Sequence, residues 1–406
     1  MRFLISAFEY VRETLHHFRK TEAFSSVVLV ASAAAAMILT NTAGHEWYER
    51  FINAPLSLVL GPIALHKTLL LWVNDLLMAI FFFVIGLELK REVMEGHLAS
   101  WDRVVLPALA AVGGMLVPAL LFASLNYQDP VAMRGWAIPT ATDIAFSLGV
   151  LMLLGTRVPS GLKIFLLALA ILDDLGAVLI IALYYSEDLS MEALRYAALC
   201  LAVLIGFNRF RVNNSIPYLL LGLVLWYFVL KSGVHATMAG ILLAFTIPTH
   251  VPHDYQYSPL TRLENHFHGW VAFGILPIFA FCNAGVYLLD TTFSDLGNSL
   301  TLGVLLGLLV GKPVGICLFA ALAVALGLGS LPSGVRWPAF LGMSFLCGIG
   351  FTMSLFVSTL AHGNMPALIV EDKIGIVLAS LLSALIGFFI LKAALGKPKA
   401  ELIGSP

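Results

Sequence analysis

Leu162-Lys-Ile-Phe-Leu-Leu-Ala-Leu-Ala-Ile-Leu-Asp173-Asp174-Leu-Gly-Ala-Val-Leu-Ile-Ile-Ala-Leu-Tyr-Tyr185 is an apolar run with two adjacent carboxylates at its centre. A soluble core has no use for an unpaired carboxylate pair. In a bilayer, one charge at a helix centre costs roughly 2.5–3.5 kcal/mol on an insertion scale. A chain that keeps two such charges handles ions or protons there, and turns them toward a wet cavity rather than lipid.

The rest of the chain supports that setting. Of 406 residues, 60% are hydrophobic and 12% charged, against about 25% charged in soluble domains. This is the composition of an integral membrane protein. The net charge of −1 matters less than where the charges lie. Basic clusters with interleaved aromatics are missing from the sequence, so nucleic acid is not an expected partner. Cys200, Cys282, Cys317 and Cys347 all fall inside apolar runs, without metal-ligand or disulfide spacing, and read as small apolar fillers. No cleavable signal peptide is expected. The first twenty residues interleave Arg2, Arg12, Arg19 and Lys20 with Glu9 and Glu13, which reads as an interfacial amphipathic helix.

Apolar stretches of about 20 residues match a hydrocarbon core of about 30 Å. The sequence predicts twelve, near 24–43, 68–89, 104–125, 131–153, 161–184, 191–208, 215–231, 234–248, 267–289, 299–322, 337–360 and 372–394. Several connections are very short, so residues 1–406 read as one all-α polytopic membrane domain. With the N-terminus inside, sixteen Lys and Arg residues fall on the cytoplasmic side, including Lys90, Arg91, Arg103 and Arg262. Six fall outside: Arg50, Lys67, Arg134, Arg195, Lys231 and Lys373. That bias places both termini in the cytoplasm.

Gly44–Lys67 lies outside and is either an interfacial loop or a β-hairpin around Gly61-Pro62. Spans seven and eight are the shortest and form a helical hairpin that does not cross cleanly. Gly303, Gly307, Gly311 and Gly315 place one glycine per turn on one face of span ten. Helix packing is the reading for the first three.

The ionisable residues at membrane depth are Asp143, Asp173, Asp174 and Lys312, with Asp75 and Glu88 nearer the ends of span two. Ionised together, the central four sum to −2. Buried charges are paired or neutralised. One carboxylate pairs with Lys312, and the others need a proton or a cation. Asp173 and Asp174 point about 100° apart on a helix, so one can face a cation while the other faces Lys312. Such a pair titrates as a coupled system.

Asp143 lies in Ile138-Pro-Thr-Ala-Thr142-Asp143-Ile144, where a proline and short polar side chains weaken a helix. Broken backbone at this depth exposes carbonyls to a hard cation. Cys347-Gly-Ile-Gly350-Phe-Thr352-Met-Ser354 is a second break. As a nucleotide fingerprint it fails, because it has neither a third glycine nor a preceding strand. Interrupted spans in both halves point to a transporter site. The breaks fall in spans four and eleven, which makes spans 3–5 and 10–12 candidate repeats of opposite orientation.

Over nearly its whole length the chain resembles the NhaA-type sodium/proton antiporters. The matching stretches are Gly86-Leu-Glu88-Leu-Lys90-Arg91-Glu92, Ala141-Thr142-Asp143-Ile-Ala-Phe146, Ala170-Ile-Leu-Asp173-Asp174-Leu-Gly176, Gly233-Val-His235-Ala-Thr237, Phe279-Ala-Phe-Cys-Asn283-Ala-Gly285, Gly311-Lys312-Pro-Val-Gly315 and Gly348-Ile-Gly350-Phe-Thr352-Met-Ser354. The resemblance implies inverted repeats and two broken, crossing helices, an architecture for which that family is itself the known example. It implies that Asp174 is the main carboxylate for Na+ or Li+. Asp173 is then its proton-exchanging neighbour and partner of Lys312, and Thr142 lies near the ion. Asp143 offsets the helix dipoles at the crossing.

Family members exchange sodium or lithium for a larger number of protons, without a cofactor, in the bacterial inner membrane. They work as homodimers through an external hairpin matching Gly44–Lys67. The resemblance also implies a cytoplasmic pH-sensing cluster of Glu88, Arg91, Glu92, Glu264 and His268, and a modulating role for His235. Asn265 departs from the family pattern, which has a histidine there. His250, His253, His266 and His268 read as a solvated titrating loop rather than a metal site. Asp75 reads as a structural hydrogen-bonding group, and Asp102, Asp290, Asp295 and Asp372 as interfacial charges.

Three rivals fit less well. An intramembrane aspartyl protease needs aspartates on separate spans, and adjacent carboxylates cannot flank a scissile bond. A channel wants repeated weak sites along a path. A symporter for an organic solute needs more solute-binding groups at the midplane. An enzyme is therefore not expected.

Overall fold

The computed structural model describes residues 22–60, 63–96, 100–186, 188–250, 257–289, 297–363 and 365–396. The expected N-terminal amphipathic helix, His253, Asp290 and Asp295 lie outside them, as does the Gly61-Pro62 turn. Every span expected from the sequence has a helical counterpart, and the twelve differ in how they cross.

The first is α1 (Glu22–Thr40). It turns by 118° into α2 (His45–Ile52), a short amphipathic helix that buries Tyr48 and Ile52. The next segment is a hairpin: β1 (Pro55–Leu60) pairs antiparallel with β2 (Ile63–Thr68), with Leu56 opposite Lys67. Of the two sequence readings for this stretch, the hairpin is the one that forms. Its strands, Pro-Leu-Ser-Leu-Val-Leu and Ile-Ala-Leu-His-Lys-Thr, are rich in apolar residues and put the polar ones, Ser57, His66, Lys67 and Thr68, toward the open end of the ribbon.

Five helices follow as expected: α3 (Leu69–Met94), α4 (Trp101–Asn126), α5 (Ile144–Met152), α6 (Ser160–Tyr184) and α7 (Met191–Arg209). Span four is completed by a 3-10 helix over Ala132–Thr140 that precedes α5. Spans seven and eight are α8 (Ser215–Lys231) and α9 (Met238–Thr246). At 1.5 Å per residue α9 is only about 14 Å long, so span eight is not a crossing helix. Gly233, in the left-handed region, makes the turn between them.

The last five helices are α10 (Pro259–Ala284), α11 (Ser299–Ala325), α12 (Trp337–Cys347), α13 (Phe351–His362) and α14 (Pro366–Leu395). Among the described residues, eight helices are long and apolar enough to cross a membrane, or ten if the bent pairs α1–α2 and α12–α13 each count once. The α12–α13 bend is 42°. The protein is thus a helical polytopic membrane protein.

Two expectations about boundaries are corrected. Span nine starts at Pro259, so Leu263–His268 is the body of a helix and not part of a loop. Ser258 caps it, accepting from Thr261 N at 3.2 Å, and Pro259 fits the first turn. Span twelve starts at Pro366, six residues earlier than expected, which carries Asp372 into the helix and buries it.

All four glycines of span ten are packing positions, including Gly315. An added Cβ on Gly303 would meet Phe122 and Asn126, on Gly307 Pro139, and on Gly311 Pro118. On Gly315 it would come within 2.1 Å of the Gly113 carbonyl oxygen. α4 and α11 thus touch backbone to backbone.

Candidate functional site

The two breaks meet. Asp143 N donates to Ile349 O at 2.7 Å, joining the extended links of the two interrupted spans. Two further bonds are reciprocal. Ser147 Oγ on α5 donates to Leu346 O on α12 at 2.8 Å. Ser354 Oγ on α13 donates to Ile138 O on the 3-10 helix at 2.8 Å. Each second half thus bonds the end of the other span's first half. This reciprocity is what two inverted units related by a pseudo-twofold axis produce.

Asp143 sits at the N-termini of both second halves. Its Oδ1 accepts from Phe146 N at 2.9 Å, capping α5. Its Oδ2 accepts from Thr352 N at 3.0 Å and Thr352 Oγ1 at 2.6 Å, at the start of α13. Two helix N-termini converge there, each with partial positive charge and orphan N–H groups. One carboxylate answers both, and Asp143 is buried.

Asp173, Asp174 and Lys312 are fully buried beside this crossing. Lys312 Nζ lies 2.9 Å from Asp173 Oδ2 and also donates to the Thr140 carbonyl, the last residue of the 3-10 helix. Thr142 Oγ1 lies 2.7 Å from the same Asp173 oxygen and 3.1 Å from Cys347 O. Asp174 differs: among the described residues neither of its carboxylate oxygens has a hydrogen-bond partner, and Asp173 Oδ1 has none either. A buried carboxylate without donors calls for a proton or a cation. The geometry therefore separates the two neighbours, one tied to lysine and threonine and the other open.

At the far end of α3, Arg91 Nε donates to both Glu264 oxygens at 3.1 and 2.9 Å. Arg91 Nη1 lies 2.7 Å from Glu92 Oε1. Lys90 Nζ donates to the Phe245 and Ile247 carbonyls at 2.7 and 2.6 Å, closing the end of the short α9. Glu88 and His268 line one cavity of about 140 Å³ whose wall includes Asp143 and Thr352. Glu88, Arg91, Glu92, Glu264 and His268 therefore gather on one face, in reach of the crossing. His235 stands apart, on the face that carries the hairpin. Its Nδ1 is 2.8 Å from Thr237 Oγ1 and its Nε2 3.9 Å from Asp75 Oδ1. Asp75 is ion-paired with Lys67 of the hairpin.

Asp372, read from sequence as interfacial, is a buried partner of His362 instead. His362 Nδ1 and Ser358 Oγ each lie 2.7 Å from Asp372 Oδ2. A signal was available: Ser358 and His362 are four apart and share a helix face. A polar stripe on an apolar span implies a partner.

Among the described residues, no three His, Cys, Asp or Glu side chains converge as a resident metal site. Inverted, interrupted spans with a buried charged cluster at their crossing define a membrane transporter. The chain belongs to the Na+/H+ antiporter 1 family, whose model matches residues 16–391. Similar proteins include the Na(+)/H(+) antiporter NhaA of Salmonella paratyphi A, 52% identical over 95% of this chain and 99% of the relative. The protein of the same name from Citrobacter koseri is 51% identical over 94% and 98%. That of Escherichia coli O1:K1 / APEC is also 51% identical over 94% and 98%.

Proposed function

We propose that this chain exchanges cytoplasmic Na+ or Li+ for a larger number of external protons by alternating access, which makes it electrogenic, in a bacterial inner membrane. The observation that carries this reading is Asp174, buried with neither carboxylate oxygen hydrogen-bonded, beside the Asp173–Lys312 pair. Its relatives' shared name, Na(+)/H(+) antiporter, supplies the ions.

In this reading a partly dehydrated cation binds Asp174, with Asp173 and Thr142 contributing oxygens. Thr142 and Lys312 must release Asp173 for that, so cation binding and the Asp173–Lys312 pair are alternatives. Protons displace the cation from the same oxygens. Asp143 keeps the crossing of the two interrupted spans electrically balanced while they move. Glu88, Arg91, Glu92, Glu264 and His268 tune the response to cytoplasmic pH, with His235 modulating it from the other face. In this reading the hairpin face is the outer one, which the Lys and Arg bias supports. No bond of an organic substrate is made or broken and no resident cofactor takes part.

The test is dissipation of a pre-formed ΔpH by added Na+ or Li+ in inside-out vesicles, for wild type and Asp174→Asn. The sign of the pH dependence follows from competition. As pH rises the proton leaves the shared oxygens, so the apparent KM for Na+ falls, by about tenfold per unit for each competing proton. Asp174→Asn should abolish the cation-dependent signal. Dissipation without added cation would mean a leak, and a KM independent of pH would sink the shared site.

A further inference from the structure

His362, Asp372 and Ser358 form a buried cluster that the transport reading does not use. His362 ends α13, Asp372 lies in the second turn of α14, and both are buried. The imidazole also reaches span four, where its Nε2 lies 3.1 Å from the Val131 carbonyl oxygen. Space for the ring is built in, because a Cβ on Gly135 would come within 2.8 Å of His362 Cε1. The cluster borders a cavity of about 410 Å³ on the hairpin face, lined also by Arg134, Tyr185, His235 and Asp75.

The donor and acceptor inventory fixes the proton count. A carbonyl only accepts, so Nε2 carries a hydrogen. At 2.7 Å, Nδ1 and Asp372 Oδ2 must hold one more proton between them, since two lone pairs would otherwise face each other. Ser358 Oγ also donates to Oδ2, at 2.7 Å, while among the described residues Oδ1 has no partner. Loss of that proton leaves the imidazole one N–H for two acceptors, so it keeps either Asp372 Oδ2 or the Val131 carbonyl and releases the other. The proton therefore lets α13 hold α14 and the start of span four at once.

We propose that His362 and Asp372, oriented by Ser358, form a second proton-binding site, in the cavity of the hairpin face, whose proton clasps the ends of spans four, eleven and twelve. Its ligand is a proton from the water of that cavity. The titratable and charged groups around it are Arg134 from the 3-10 helix and Tyr185 from the end of α6, whose Oη donates to Arg134 O at 2.6 Å. Across the cavity stand Asp75 with Lys67, and His235. Glu371 and Lys373 flank Asp372 on its own helix, and Lys373 Nζ donates to Gly285 O at 3.1 Å. The site lies apart from Asp173 and Asp174, so it gates exchange without carrying the cation. Its effect on transport rests on the antiport reading, whereas its proton does not.

Asp372→Asn is the informative variant, because an amide nitrogen donates to Nδ1 and closes the clasp without a proton. The first readout is 15N-histidine NMR of the full chain in detergent, with His362 assigned by loss of its signal in His362→Gln. As pH is raised across the range in which the protein stays folded, the wild-type imidazole 15N pattern should make one full transition. In Asp372→Asn it should stay at the neutral position. A transition identical in both proteins, or none in wild type, overturns the site. The second readout is exchange rate against pH on the hairpin face, at fixed pH on the other, in vesicles of both orientations. The wild-type profile should lose its hairpin-face step in Asp372→Asn, and superimposable profiles overturn the gating role. Absence of exchange in wild type would sink the antiport reading instead, and the NMR arm still decides the proton site.

Discussion

Lys312 is a fully buried lysine whose recorded partners are Asp173 and the Thr140 carbonyl. Removing one partner of a buried ion pair leaves an uncompensated charge, at a cost of about 3–5 kcal/mol. Replacing both partners with neutral groups that still bond each other costs far less. Lys312→Ala should therefore lower the unfolding temperature in detergent markedly. Asp173→Asn with Lys312→Gln should recover most of that loss, a clear departure from additivity. Additive losses in a thermal-shift series would mean that the two side chains are not paired in the folded protein. The same lysine variant divides two roles left open by the sequence. If Lys312→Ala still exchanges ions electrogenically, lysine is a structural partner and not a proton carrier.

At the scale of elements, what the sequence made legible depended on the kind of signal. Apolar length is a strong one, and all twelve expected segments are helical. The breaks at Thr140–Asp143 and Gly348–Gly350 were readable because proline, glycine and short polar residues weaken a helix locally. Their meeting was not readable from local chemistry, since Asp143 N to Ile349 O joins residues 206 apart. Asp372 was misread because Glu371-Asp372-Lys373 resembles an interfacial patch, and only the earlier start at Pro366 carries it inside. Turns widened to π geometry at Val73–Leu77, Val271–Ile275 and Gly307–Gly311 left no mark in the hydrophobic pattern. The last of them ends beside Lys312.

The α4–α11 contact gives a test at this scale. A Cβ on Gly315 would lie 2.1 Å from the Gly113 carbonyl oxygen, and backbone cannot rotate away as a side chain does. Gly315→Ala should cost about 1–3 kcal/mol by overpacking and shift Lys312, one turn earlier. Gly206 on α7 has nothing within 4 Å of its added Cβ. Gly206→Ala should be neutral or stabilising by up to about 1 kcal/mol. Equal unfolding temperatures for the two variants would refute the close contact.

For the whole molecule, the hairpin poses a question that a single chain does not answer. A two-stranded sheet has two edges with unpaired backbone groups, and such edges invite strand addition. Leu56, Leu58 and Val59 of β1 are exposed, which adds an apolar face to the open edge. A second copy related by a twofold axis satisfies both needs in one closed contact, as the resemblance to a dimeric family leads one to expect. The charged cluster, by contrast, is enclosed by its own chain, with Asp173, Asp174 and Lys312 fully buried away from the hairpin. Assembly and transport should therefore separate. Replacing Ser57–His66 with a short Gly-Ser loop keeps Leu56 and Lys67, which already face each other, and so spares the Lys67–Asp75 pair. The mass in detergent, by light scattering or native mass spectrometry, should halve, while cation-dependent exchange per chain persists. An unchanged mass would exclude the hairpin as the contact. Loss of exchange in a folded monomer would show that the site needs its second copy.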